Sequence, residues 1–123
     1  MRTISIGFAV PWDDAGIRVA CAALTTINRI YLRQHPTTPA LYRAGVVYKR
    51  QPGPERFSWI PIVMQRGNGD CDQLACWRAA ELQERGIKAR AIPKRIGPNL
   101  IHILVRYPDG HIEDPSKVLG MGR

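Results

Sequence analysis

Residues 67–86 read Gly67-Asn68-Gly69-Asp70-Cys71-Asp72-Gln73-Leu74-Ala75-Cys76-Trp77-Arg78-Ala79-Ala80-Glu81-Leu82-Gln83-Glu84-Arg85-Gly86, a helix with both of its end signals in place. The turn from Arg66 to Asp70 delivers Asp70 as an N-cap, whose carboxylate can accept N–H groups of the first turn. The helix then spans Cys71 to Arg85, and Gly86 stops it. At 100° per residue, Cys71, Leu74, Ala75, Ala79 and Leu82 share one face, so the cysteine is expected to begin an inward stripe. Arg78 falls on that face too, and the spacing gives no reason for it. Cys76 lies about 140° around the helix from Cys71 and is expected to be structural.

Toward the C-terminus, Ile87 to Ile92 and Leu100 to Tyr107 have the composition of strands, and Pro108-Asp109-Gly110 turns the chain into His111 to Asp114. This is a β-hairpin. With Pro108 to Gly110 as its loop, Tyr107 faces His111 and Leu104 faces Asp114. His102 then shares a sheet face with Asp114 as its diagonal neighbour, at about 7 Å between backbones. His111 falls on the opposite face, and a one-residue slip would reverse these assignments.

Toward the N-terminus, Trp59 to Met64 fits either a short helix or an extended segment, and Gln51-Pro52-Gly53-Pro54 breaks regular structure. Val46 to Lys49 reads as a short extended piece, Leu41 to Gly45 as a helical turn, and His35 to Pro39 as a loop. From Ala15 to Gln34, Ile17, Ala20, Cys21, Leu24, Ile27 and Tyr31 recur at helical spacing, with Asp13 or Asp14 able to cap the start. Cys21 lies on the apolar stripe and is expected in the core. Thr3 to Val10 is a β-favouring stretch closed by Pro11, read as a strand. No repeat or linker interrupts residues 1–123, so the expectation is one α+β domain.

The whole-chain numbers agree with that reading. At 123 residues a single domain buries roughly two-thirds of its unfolded surface. Apolar residues make up 45% and charged residues 23%, which argues against intrinsic disorder. No run approaches the ~18 apolar residues of a membrane helix, and the opening MRTISIGFAVPW is a poor signal peptide, so a cytoplasmic setting without membrane partners is expected. The net charge of +8 favours polyanions, but the basic residues are scattered and no groove-reading motif is present. Weak nucleic-acid or acidic-protein association is the corresponding expectation. Three cysteines cannot all pair, which points to reduced thiols.

Chemistry concentrates at Cys71. A cysteine at a helix N-terminus meets the positive end of the backbone dipole, which favours thiolate. His102 and Asp114 supply a base and the carboxylate that orients it, completing a nucleophile–base–orienter array. Asp70 is expected to spend its lone pairs on capping N–H groups, and Asp72 to project into solvent, where water screens it. On that basis Cys71 should alkylate well below the ~8.5 pKa of an ordinary thiol. The oxyanion would be held by the Cys71 N–H and a donor upstream, with Gln65, Asn68 and Trp59 as options. No cofactor or metal is expected. Cys-x4-Cys without a second pair lacks zinc spacing, and Gly67-Asn68-Gly69 has no following Gly-Lys-Ser/Thr and carries Asp70, which repels phosphate.

The run GDCDQLACWRAAELQERGIKAR, followed by IHILVRYPDG and HIEDPS, resembles the transglutaminase-like branch of the papain-like cysteine protease superfamily over roughly Gly67 to Ser116. The shared pattern is a Gly-acid-Cys turn opening an Ala-rich helix, a Gly-Ile boundary, a His on one strand and an Asp-Pro closing the next. His102-Ile103-Leu104 stands where that family usually has His-Ala-Trp. The resemblance implies a papain-like fold, with the catalytic helix on a small antiparallel sheet, Cys71 as nucleophile, His102 as general base and acid, and Asp114 orienting His102. The stretch LYRAGVVYKRQPGPERFSWIPIVMQRGNGDCDQLACWRAAEL also looks like small bacteriophage proteins of this type, implying a bacterial host cytoplasm or a virion. The expected function is thiol-dependent acyl transfer on peptide or glutamine amides, by a cysteine peptidase or amidase acting on a peptide or protein. The alternative is a non-catalytic phage structural or assembly protein that keeps the fold and binds nucleic acid or an acidic partner.

Overall fold

The computed structural model describes residues 2, 4–7, 9–52 and 56–123. Helix α1 (Asp14–Gln34) starts at Asp13, whose carboxylate accepts the Gly16 N–H at 2.8 Å. A 3-10 turn at Leu41–Arg43 leads to β1 (Val47–Tyr48). Helix α2 (Ile60–Arg66), β2 (Asn68–Gly69) and α3 (Cys71–Glu84) follow in close succession. Strands β3 (Arg90–Gly97), β4 (Leu100–Arg106) and β5 (Ile112–Glu113) form an antiparallel sheet in that order, and α4 (Pro115–Val118) comes last. The class is α+β. β1 and β2 pair in parallel, Val47 with Asn68 and Tyr48 with Gly69, which pins the turn before Cys71 from outside the helix.

Helix α3 is central because apolar surface meets it on more than one side. Ala75, Cys76 and Leu82 join Ile17, Cys21 and Leu24 of α1 and Ile103 and Val105 of β4 in one cluster. Leu74 and Trp77 join Leu41, Val46, Ile60 and Val63 in another. The single inward stripe expected for this helix is therefore corrected: ten of its residues are buried, including Asp72, Gln73 and Glu81. Truncating a fully enclosed side chain such as Leu74 removes packing worth about 2–5 kcal/mol.

Other expectations need correction as well. The strand expected over Thr3 to Val10 is not formed by its described residues; Ile4 and Ile6 are exposed and have no ladder partner, while Thr3 and Phe8 lie outside the described residues. The composition suits extended backbone, but a strand exists only where another strand supplies its hydrogen bonds. The strand expected at Ile87 to Ile92 starts later and runs to Gly97, because pairing with β4 sets its limits. The ambiguous segment before the central turn resolves as α2, ended by Gly67 in the left-handed region at φ 78°.

Arg78, unexplained by spacing, is held by charge. Its guanidinium donates to Glu113 Oε2 at 2.7 Å, lies 3.4 Å from Glu81 Oε1 and sits over the Tyr42 ring. The Tyr42 and Tyr107 hydroxyls also donate to Glu113. Burial pushes the Glu113 carboxyl up, but the hydrogen bonds from Arg78, Tyr107 and Tyr42 outweigh it, and the group sits below its ordinary value. A carboxyl lowered on folding contributes stability above its unfolded pKa of ~4.3, and that contribution disappears as pH falls through the folded value. Glu113→Gln should therefore lower stability by about 3 kcal/mol at pH 7, since a half-buried guanidinium loses its main partner. Urea unfolding should show the gap between wild type and variant closing in acid, below about pH 4.

Candidate active site

The register of β4 against β5 pairs Val105 with Glu113 and Arg106 with Ile112, so one further step sets Leu104 opposite Asp114 as expected. His102 Nε2 lies 2.9 Å from Asp114 Oδ2 across this corner. The imidazole is 11% and the carboxylate 16% exposed, so the pair is largely shielded from water. Asp114 Oδ1 accepts the Lys117 N–H at 3.3 Å, as the N-cap of α4. One oxygen thus anchors the carboxylate to a helix while the other engages the imidazole. His111 belongs elsewhere: its ring stacks on Tyr107 at 3.8 Å and meets Asp109 at 2.6 Å, with the side chain exposed.

Cys71 is the first residue of α3 and is half-buried against the cluster that contains Ile103. Its position is fixed by an interlocked cap. Asp70 Oδ1 accepts the Cys71 N–H at 2.7 Å, Asp70 Oδ2 accepts the Gln51 N–H at 3.1 Å, and the Gln73 side chain closes a capping box on the Asp70 N–H. Gln73 is itself held by Arg66 at 2.6 Å and by the Arg56 carbonyl at 2.7 Å.

Asp72 corrects an expectation. It is 4% exposed, not solvated, and its charge acts on the enclosed Cys76 thiol one turn further along α3. Ligand atoms of Asp70, Cys71 and Asp72 all stand within 4.8 Å of one another, so two carboxylates approach the sulfur. As a metal site the trio is compromised, since both Asp70 oxygens accept backbone N–H groups. Cys21 and Cys76 are fully enclosed, the Cys76 sulfur 3.6 Å from the Cys21 carbonyl, and burial pushes the Cys76 thiol well up.

The expected oxyanion donors are occupied or placed for other tasks. The Cys71 N–H is bonded to Asp70, the Asn68 side chain is tied to Gln51 and Arg66, Gln65 is exposed on α2, and Trp59 packs edge-on to Tyr31. Sequence reasoning missed Tyr48. Its backbone pairs with Gly69 and donates to the Leu119 carbonyl, which sets it between the turn before Cys71 and the helix capped by Asp114. Burial pushes its hydroxyl up, and the charges of Asp70, Cys71 and Asp114 add to this against Arg50. Nothing in the short run Val46 to Lys49 marks it as a site residue.

A cavity of about 340 Å³ opens beside the His102–Asp114 pair. Cavities of about 380 and 390 Å³ lie along α1, β3 and Gln83, and include neither His102 nor Asp114. Among the described residues, no helix is long and apolar enough to cross a membrane. Comparison with family models, curated proteins and solved structures finds no match to this chain.

Proposed function

We propose that the chain is a transglutaminase-like, papain-like thiol enzyme that transfers acyl groups from peptide or glutamine amides through a thioester on Cys71. The observation that supports this most is the 2.9 Å contact between His102 and Asp114, made across the hairpin in the register the chemistry requires. Asp114 occupies Nε2, so Nδ1 is the nitrogen that addresses the thiol. His102 takes the Cys71 proton, the thiolate adds to the amide carbonyl, and the imidazolium returns the proton to the leaving amine as the C–N bond breaks. Water or a second amine, deprotonated by the same imidazole, then attacks the thioester and releases Cys71. Asp114 holds the ring and stabilises its charged form without itself becoming protonated.

The test is turnover of a panel of peptide amides and glutamine peptides, with product masses separating hydrolysis, deamidation and crosslinking. A non-catalytic reading draws on one feature of the sheet: Arg90 stands directly opposite Arg106, a like-charge pair that an anionic partner would relieve. It calls instead for salt-sensitive binding of polyanions and no turnover.

A further inference from the structure

We propose that the cavity beside His102 is a specificity subsite for a peptide segment in which an apolar residue adjoins a carboxylate-bearing one. This rests on the acyl-transfer reading above and names the substrate class for it. The apolar part of the wall comes from Ile96 at the end of β3, Leu104 of β4, Ile112 of β5 and Met121 beyond α4. Leu104 is only 6% exposed and forms a dry floor, whereas Ile96 and Ile112 are about half exposed and leave apolar surface for a guest to cover. The volume is at the small end of the ~300–1,000 Å³ typical of ligand pockets, which suits one or two residues.

The charged part of the lining is cationic. Lys94, directly across the ladder from His102, and Lys117, in α4, both contribute to the cavity. Among the described residues neither lysine makes an ion pair, whereas Arg18, Arg29, Arg33 and Arg78 all do. The one acid lining the cavity is Asp114, and its two oxygens are already engaged by His102 and by the Lys117 N–H. An incoming carboxylate therefore meets two lysine side chains that no acid of the described residues pairs, against one carboxylate whose oxygens are already engaged. Cys71 does not line the cavity, so the guest is a residue flanking the scissile amide and not the reacting group itself.

The experiment uses the 123-residue Cys71→Ala protein, chosen to prevent turnover during binding, and dansyl-labelled peptides Gly-Gly-Leu-Asp-Gly-Gly, its Leu-Lys and Leu-Asn counterparts, and Ser-Asp. Fluorescence anisotropy should give Leu-Asp binding about tenfold tighter than Leu-Lys and about fivefold tighter than Ser-Asp, an advantage that shrinks with added salt. In a Lys94→Glu, Lys117→Glu background the order of Leu-Asp and Leu-Lys should reverse, which mere loosening of the fold cannot produce. Equal affinity for Leu-Asp and Leu-Lys, or an unchanged order after charge reversal, overturns the proposal. Tighter binding of oligo(dT) than of any peptide, dependent on the same lysines, overturns it in favour of nucleic acid. The two readings fail separately: a wild-type protein that turns over peptides without this preference loses only the subsite, and one that binds Leu-Asp as described but turns over nothing loses the acyl-transfer reading.

Discussion

Cys71→Ala protein is expected to fold normally and to lose at least about a thousandfold in turnover. The fold survives because the cap that fixes this position is built from backbone and from neighbouring side chains: Asp70 accepts the residue-71 N–H, which alanine retains, and Gln73 closes the box. Loss of a half-buried sulfur on the first turn costs no more than about 1 kcal/mol. Cys76→Ala has the opposite profile. That side chain is fully enclosed between α3 and α1, so its truncation should lower stability by roughly 1 kcal/mol through the cavity left behind, with activity intact. Turnover of the peptide panel, measured beside urea unfolding of each variant, separates the two. Retained turnover in Cys71→Ala removes the nucleophile from Cys71.

Asp114→Asn should reduce turnover by about 10²- to 10⁴-fold while changing stability little. Asparagine can still accept the Lys117 N–H and cap α4, so the structural contact at Oδ1 persists. What changes is the contact at Nε2: a neutral amide no longer stabilises the imidazolium and can present a donor where the ring needs an acceptor. His111→Gln, at an exposed ring stacked on Tyr107, should leave both turnover and stability near wild type. A structural role for Asp114 would show instead as a loss of stability in Asp114→Asn that matched its loss of rate. Activity that depends on His111 and not on His102 would assign the base to the wrong sheet face.

What is legible in the sequence is local. Asp70 and the Gly86 stop define α3 within a short span, and counting outward from the Pro-Asp-Gly loop gives the register that sets His102 beside Asp114, which the ladder bears out against a one-residue slip. What is illegible depends on distant partners. Nothing near Arg78 announces Glu113, 35 residues away, and nothing near Tyr48 announces that Gly69 and Leu119 will flank it. Asp72 reads as a solvated helix residue because local spacing cannot reveal how completely α3 is enclosed. The stretch from Thr3 to Val10 fails for the converse reason: its composition suits a strand, and no neighbouring strand pairs with its described residues.

These particulars also change how the thiols can be compared. Cys21 and Cys76 are enclosed and Cys71 is half-buried, so Cys71 would alkylate first on access alone, enzyme or not. Electrostatics must be read from a different contrast. In the proposed array the helix terminus and the His102 ring would favour a Cys71 thiolate, while the Asp70 and Asp72 carboxylates close to the sulfur oppose it. The low-pH reactivity of Cys71 therefore reports directly on whether the His102 imidazole reaches the thiol.

The most direct measurement is therefore the rate of iodoacetamide alkylation at Cys71, mapped by mass spectrometry across pH, in wild type and in His102→Ala. If Cys71, His102 and Asp114 form one catalytic array, wild-type Cys71 reacts rapidly well below pH ~8.5 and His102→Ala loses that low-pH reactivity, titrating as an ordinary thiol. Superimposable profiles for the two proteins, or a wild-type thiol that already titrates near ~8.5 or above, would contradict the account and leave the non-catalytic reading in its place.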